Sequence, residues 1–115
     1  MTGFIDLIVR QEGKFYIIDY KSNHLGDSLS GYEAPALERE MVEAGYDLQA
    51  HLYLVALVRY LEKSMPGFRY ETHIGGILYL FVRGMRKGSG NGVWFRRPEE
   101  TRIRELSKTL LRGEG

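Results

Sequence analysis

Two short β-prone runs, "FIDLIV" (4–9) and "KFYIIDY" (14–20), flank the pair Glu12-Gly13, and this constrains the fold more than any other feature. Glycine accepts the positive φ of a tight turn, so the stretch reads as a β-hairpin. A two-residue turn at Glu12-Gly13 sets the pairing at 11 with 14, 9 with 16 and 6 with 19. Asp6 then stands opposite Asp19. Residues i and i+2 share a strand face, so Lys21 joins them. Directly opposed side chains lie about 4.5–5.5 Å apart at Cβ, and like charges placed so destabilise the pair. Lys21 supplies one compensating charge, and a hard divalent ion held by oxygen ligands would supply two more. The alternative is a solvated sheet face on which Lys21 simply balances two acids, and a one-residue slip would move Asp6 to the other face. Against that alternative, Asp6 interrupts an apolar run between Phe4-Ile5 and Leu7-Ile8-Val9. An acid within such a strand requires a partner.

Downstream, "SNHLGDSLSGYEA" (22–34) reads as a polar loop, and Pro35 suits a first helical turn. "ALEREMVEA" and "YDLQAHLYLVALVRYLEK" have helical composition and period. Gly45 is expected to bend or divide them, and Asp47 to cap the second. Pro66-Gly67 marks a stop. "GGILYLFV" (75–82) reads as a buried strand, "RGMRKGSGNG" (83–92) as a loop and "VWF" as a short strand. Residues 98–112 have the signals of a last helix: proline at the start, acids first, bases late. The order β-β-α-β-(β)-α predicts an α/β or α+β layer fold in one domain.

Composition narrows the chemistry. With no cysteine, disulfides, thiolate zinc sites and cysteine nucleophiles are excluded together, which suits a reducing cytoplasm. No run is long and apolar enough to cross a bilayer, and no export signal is visible. The net charge of +1 conceals an asymmetry: residues 1–62 carry five Lys/Arg against ten Asp/Glu, residues 63–115 eleven against five. An acidic half joined to a basic half suits a metal site beside a polyanion site, although clustering on solvated faces gives the same count.

The motifs "GFIDLIV…FYIIDYKSN" resemble motifs II and III of the PD-(D/E)XK nuclease superfamily, most closely its RecB-like branch. There an Asp on one strand is followed by Asp-x-Lys on the next, here Asp19-Tyr20-Lys21, and by Gln-x-x-x-Tyr on a helix, here Gln49 and Tyr53. Positions i and i+4 share a helix face, so Gln49 and Tyr53 can point together. "GG-I-L-YLF-RG" extends the similarity, which runs from Gly3 to about Pro98. The resemblance implies a restriction-endonuclease-like core, a mixed β-sheet flanked by helices. It implies Asp6 and Asp19 as metal ligands, the Tyr20 carbonyl as a third and Lys21 as the catalytic lysine. Gln49 and Tyr53 would steady the site. The implied cofactor is Mg²⁺, with Mn²⁺ as a substitute. The family core begins with a helix carrying a further ligand and with another strand, both missing here, and His24, His51 and His73 do not stand at that ligand's position. The chain is therefore expected to be a fragment with an exposed sheet edge through which it could dimerise.

Arg83, Arg86 and Lys87 lie in a glycine-rich loop, and Trp94, Phe95, Arg96 and Arg97 follow. Arginines contact phosphates and an aromatic stacks on an unpaired base, so this segment is a candidate DNA surface; a solvated loop beside a core tryptophan is the alternative. His24 is expected at the surface, and His51 at the surface or on DNA. The resemblance implies an Mg²⁺-dependent deoxyribonuclease acting on DNA, on single-stranded ends, beside other subunits of a RecBCD-like complex. No Walker A sequence is present, so ATP hydrolysis would reside elsewhere. The rival reading is a catalytically incomplete fragment that binds DNA or a partner subunit and cuts nothing.

Overall fold

A computed structural model describes residues 7–26 and 28–114. Strand β1 (Leu7–Gln11) and strand β2 (Lys14–Lys21) form the expected hairpin, with Glu12 and Gly13 at the turn, both at positive φ. The pairing runs from Gln11 with Lys14 through Val9 with Tyr16 to Leu7 with Ile18, the register set by a two-residue turn. Asp6 lies outside the described residues.

Helix α1 (Ala34–Glu43) starts with Pro35 in its first turn, where a missing N–H costs nothing. Gly45, at φ 76°, divides it from helix α2 (Tyr46–Ser64). Asp47 does not cap α2: Gly45 occupies the N-cap, and Asp47 sits inside the first turn. An acid there still interacts favourably with the helix dipole. Three short elements were not anticipated, 3₁₀ turns at Leu29–Tyr32 and Val82–Gly84 and helix α3 (Tyr70–His73). Strand β3 (Ile74–Phe81), strand β4 (Val93–Arg96) and helix α4 (Glu100–Glu114) complete the chain.

The sheet order is β1-β2-β3-β4; β2 and β3 run parallel and the outer pairs antiparallel. This is the mixed α/β arrangement expected. A register shift between Phe15 and Tyr16 leaves Gly75 as the extra residue on β3. A Cβ at Gly75 would fall 2.3 Å from the Tyr16 ring, so the close approach requires glycine. One sheet face carries Ile17, Ile77, Tyr79, Phe81 and Trp94, which join Leu37 and Met41 of α1 and Ala50 and Leu54 of α2 in the core. Strand β3 is the buried strand expected, with Leu78 and Leu80 on its other face only partly buried.

Tyr70 anchors the far end of this core, its hydroxyl donating to the Pro98 carbonyl at 2.6 Å. Burial pushes its pKa up to about 12, against the pull of the Arg97 guanidinium. Arg104 of α4 is not simple helix surface. It pairs with Glu100 one turn back and with Glu62 on α2, tying the two helices.

Candidate active site

Asp19 and Lys21 occupy alternate positions at the end of β2, so both face α1 and α2. Lys21 Nζ lies 3.3 Å from Asp19 Oδ1. Asp19 is 2% exposed, on a face it shares with the buried Ile17, Ile77, Tyr79, Phe81 and Trp94. A carboxylate taken out of water costs several kcal/mol unless it is paired and hydrogen-bonded. Tyr20, between them, projects from the opposite face and is half exposed.

Lys21 is enclosed by aromatic rings. Its Nζ lies 4.3 Å from the Tyr46 ring centroid and 5.4 Å from that of Tyr79. Tyr79 is the partner of Asp19 in the parallel ladder, and its hydroxyl donates to Gln49 Oε1 at 2.6 Å. Gln49 thus reaches the site through Tyr79. Tyr53 lies one turn further along α2 and is also buried. Tyr46 and Tyr79 went unrecognised in the sequence. A tyrosine in an apolar strand run shows no polarity, but the i, i+3 spacing of Tyr46 and Gln49 does put them on one helix face.

The loop after β2 is held from several sides. Asn23 Nδ2 donates to Glu40 Oε2 at 2.7 Å and to the Tyr46 hydroxyl at 3.1 Å. The Tyr32 hydroxyl accepts from Leu25 N and donates to the Asn23 carbonyl. Arg83 Nε donates to the Ser22 carbonyl at 2.6 Å, which brings one expected DNA-contacting arginine to the loop beside Lys21. Arg86 folds back onto the Met85 carbonyl, and Lys87 is exposed.

The aromatic and basic group that follows matches the alternative of a core tryptophan. Trp94 is core: it meets Tyr79 edge-on, and its Nε1 donates to Glu38 of α1 at 3.0 Å. Arg96 pairs with the same Glu38 carboxylate. Arg97 donates to the Ile74 carbonyl and pairs with Glu71. Only Phe95 of this group keeps a half-exposed ring. His51 is buried rather than at the surface, its Nδ1 2.7 Å from the Asp47 carbonyl. His24 is exposed, as expected.

Sequence comparison gives the same direction as the geometry. The description of the PD-(D/E)XK nuclease superfamily matches residues 1–113. The chain belongs to the PD-(D/E)XK nuclease superfamily. It is 45% identical over 106 residues to the RecBCD enzyme subunit RecB of Haemophilus influenzae, covering 92% of this chain and 9% of that protein. It is 46% identical over 99 residues to the RecB subunit of Escherichia coli K12, covering 85% and 8%. The RecB subunit of Mycobacterium tuberculosis H37Rv is 39% identical over 121 residues, covering 98% and 11%. The chain therefore spans about a tenth of the length of these relatives. Nucleases of this superfamily depend on a divalent metal.

The donors suit such an ion. The buried Asp19 carboxylate and the Tyr20 carbonyl offer hard oxygen atoms, the type that hard divalent cations take. Among the described residues no cluster of three or more His, Cys, Asp or Glu could hold a metal alone. Mg²⁺ is commonly held by one or two carboxylates and completes its shell with water and phosphate oxygens.

Proposed function

We propose that this chain is the nuclease module of a RecB-type subunit, hydrolysing DNA phosphodiester bonds with Mg²⁺ during the processing of double-strand ends. The observation that carries the reading is the buried Asp19 carboxylate paired with the part-buried Lys21, side by side at the end of β2. A purely structural ion pair in this position would cost more than an apolar pair of the same volume. A site that must handle a phosphate needs both charges.

Asp19, the Tyr20 carbonyl and Asp6 are the proposed ligands. A bound divalent cation would supply Lewis-acid charge at the scissile phosphate and ease deprotonation of water. Lys21 holds its ammonium beside that position. There it can donate to the attacking water or to a phosphate oxygen, stabilising the negative charge that grows in the transition state. Gln49 fixes Tyr79 beside Asp19, and Tyr53 supports the same helix face. Arg83, Arg86 and Lys87 would contact the phosphates of the substrate, in this reading a single-stranded end. The RecB relatives are named as subunits of the RecBCD enzyme, so partner subunits of such a complex belong to the proposal. So does pairing of a second copy along the outer edge of β1, an end position in the sheet. No helix among the described residues is long and apolar enough to cross a membrane.

The test is Mn²⁺ calorimetry on the chain together with cleavage of labelled linear single-stranded DNA. The parent is expected to bind Mn²⁺ and to cut. Asp19→Ala is expected to lose both while its circular dichroism stays that of the parent. An Asp19→Ala chain that binds Mn²⁺ as the parent does would remove Asp19 from the site. Metal binding without cleavage would favour the incomplete DNA- or subunit-binding fragment.

A further inference from the structure

Lys21 is flexible by nature: four methylene groups separate its charge from the backbone. A lysine that must present its ammonium to a phosphate needs something that restricts it. The Asp19 carboxylate gives one contact, but a charge pair is weakly directional.

We propose that Tyr46 is a positioning residue for Lys21, with Asn23 and Glu40 holding its ring in place. The Tyr46 ring centroid is 4.3 Å from Lys21 Nζ, well within the range of a cation–π contact. The ring is set from behind by packing, with its centroid 5.8 Å from that of Tyr79 and 6.4 Å from that of Phe81. It is set at its tip by the Asn23 amide, which donates both to the Tyr46 hydroxyl and to Glu40. Local structure explains why Tyr46 arrives there. The left-handed Gly45 ends α1 and turns the chain, so that Tyr46 becomes the first residue of α2. The loop residue Asn23 follows Lys21 by two positions, so one amide ties the loop, α1 and α2 around the ammonium. The arrangement leaves the ring with two functions: it stabilises the charge and closes off one side of its rotamer space.

The consequence for cleavage rests on the nuclease reading above; the positioning itself does not. Two measurements separate them. The first is the proton NMR shift of the Lys21 ε-methylene, which lies in the ring current of Tyr46. It is expected upfield of ordinary lysine in the parent and in Tyr46→Phe, and moved most of the way to the ordinary position in Tyr46→Leu, where only the more distant Tyr79 ring remains. The second is single-turnover cleavage of labelled DNA with Mg²⁺. Tyr46→Leu is expected to lower the rate constant about tenfold, the worth of a partly desolvated cation–π contact, with DNA affinity within about twofold. Tyr46→Phe is expected to restore most of the rate. Asn23→Ala keeps the ring and loosens its tip, and is expected to weaken the upfield shift and slow cleavage to a lesser degree. It carries the test if Tyr46→Leu does not fold. An unchanged Lys21 shift in Tyr46→Leu and Asn23→Ala would overturn the proposal. So would Tyr46→Phe falling as far as Tyr46→Leu, or parental cleavage by a Tyr46→Leu chain that has lost the shift. If the parent cuts no DNA, the nuclease reading fails on its own, and the Lys21 shift still decides the positioning.

Discussion

The two faces of the sheet are made from the same strands and nearly the same chemistry, yet they have different fates. Ile17, Asp19, Ile77, Tyr79, Phe81 and Trp94 on one face are buried. The alternate positions carry Ile18, Leu78 and Leu80, with Leu7, Tyr20 and Phe95, and of these Leu7 is 43% exposed and Tyr20 and Phe95 are each 50% exposed. Hydropathy does not separate the two sets. What separates them is the apolar stripe of α1 and α2, which packs on the first face. The most costly group in the sheet, the Asp19 carboxylate, stands on the face that can least accommodate it. A fold optimised for stability alone would place an acid there last. The contrast teaches that the buried face was shaped around a charged pair and its tyrosine wall.

The largest test of this contrast is a truncation within the buried face. Phe81→Ala is expected to destabilise the chain by about 3–5 kcal/mol, the transfer and cavity cost of a lost core aromatic. Urea unfolding measures this. A loss below about 1 kcal/mol would mean that the face under α1 and α2 is no tighter than its opposite.

The second test probes how dry that side of the molecule is. The Tyr70 phenol is raised to about 12 in the fold from its ordinary 10, chiefly by burial. The unfolded chain therefore loses this proton at lower pH than the folded one does. Its contribution to stability is fully present below pH 10 and is lost as pH rises through about 12. The loss is at most about 3 kcal/mol by the linkage relation. Tyr70→Phe is expected to flatten unfolding free energy across this window. An equally steep fall in the variant would assign the alkaline dependence to another group.

A third test couples the two faces through backbone. Gly76 has φ 140°, and a Cβ there would fall 2.6 Å from the Phe95 ring and 3.0 Å from the Arg96 carbonyl. Gly76→Ala is expected to cost about 1–3 kcal/mol, part conformational and part steric. In a double-mutant cycle, Phe95→Ala should relieve the ring's share of the steric part, leaving the contact with the Arg96 carbonyl. Complete additivity would show that the ring moves aside freely.

Much of this was legible in the sequence, for reasons that are local. Glu12-Gly13 fixes the hairpin register, and strand alternation then puts Asp19 and Lys21 together. Gly45 divides the helices because it adopts a left-handed φ. What stayed hidden depends on distant partners. Tyr46 meets Lys21 across 25 positions, and Trp94 is claimed by Glu38 across 56. No spacing rule connects such pairs. The same holds for Arg96 and Arg97, which read as phosphate contacts until Glu38, Glu71 and the Ile74 carbonyl are seen to engage them.

The smallest expected effect lies on the opposite face. Trp94 and Phe95 are sequence neighbours, and composition groups them as one stacking surface. Alternation sends Trp94 into the core at 3% exposure and leaves Phe95 half exposed. Phe95→Ser removes only part of a ring from protein contact, so at about 25 cal/mol per Å² the cost should stay near 1 kcal/mol. Urea unfolding of Phe95→Ser beside Phe81→Ala reads the ratio directly. A Phe95→Ser loss as large as that of Phe81→Ala would mean that the second face is held against something in solution, and the two faces would then be equivalent.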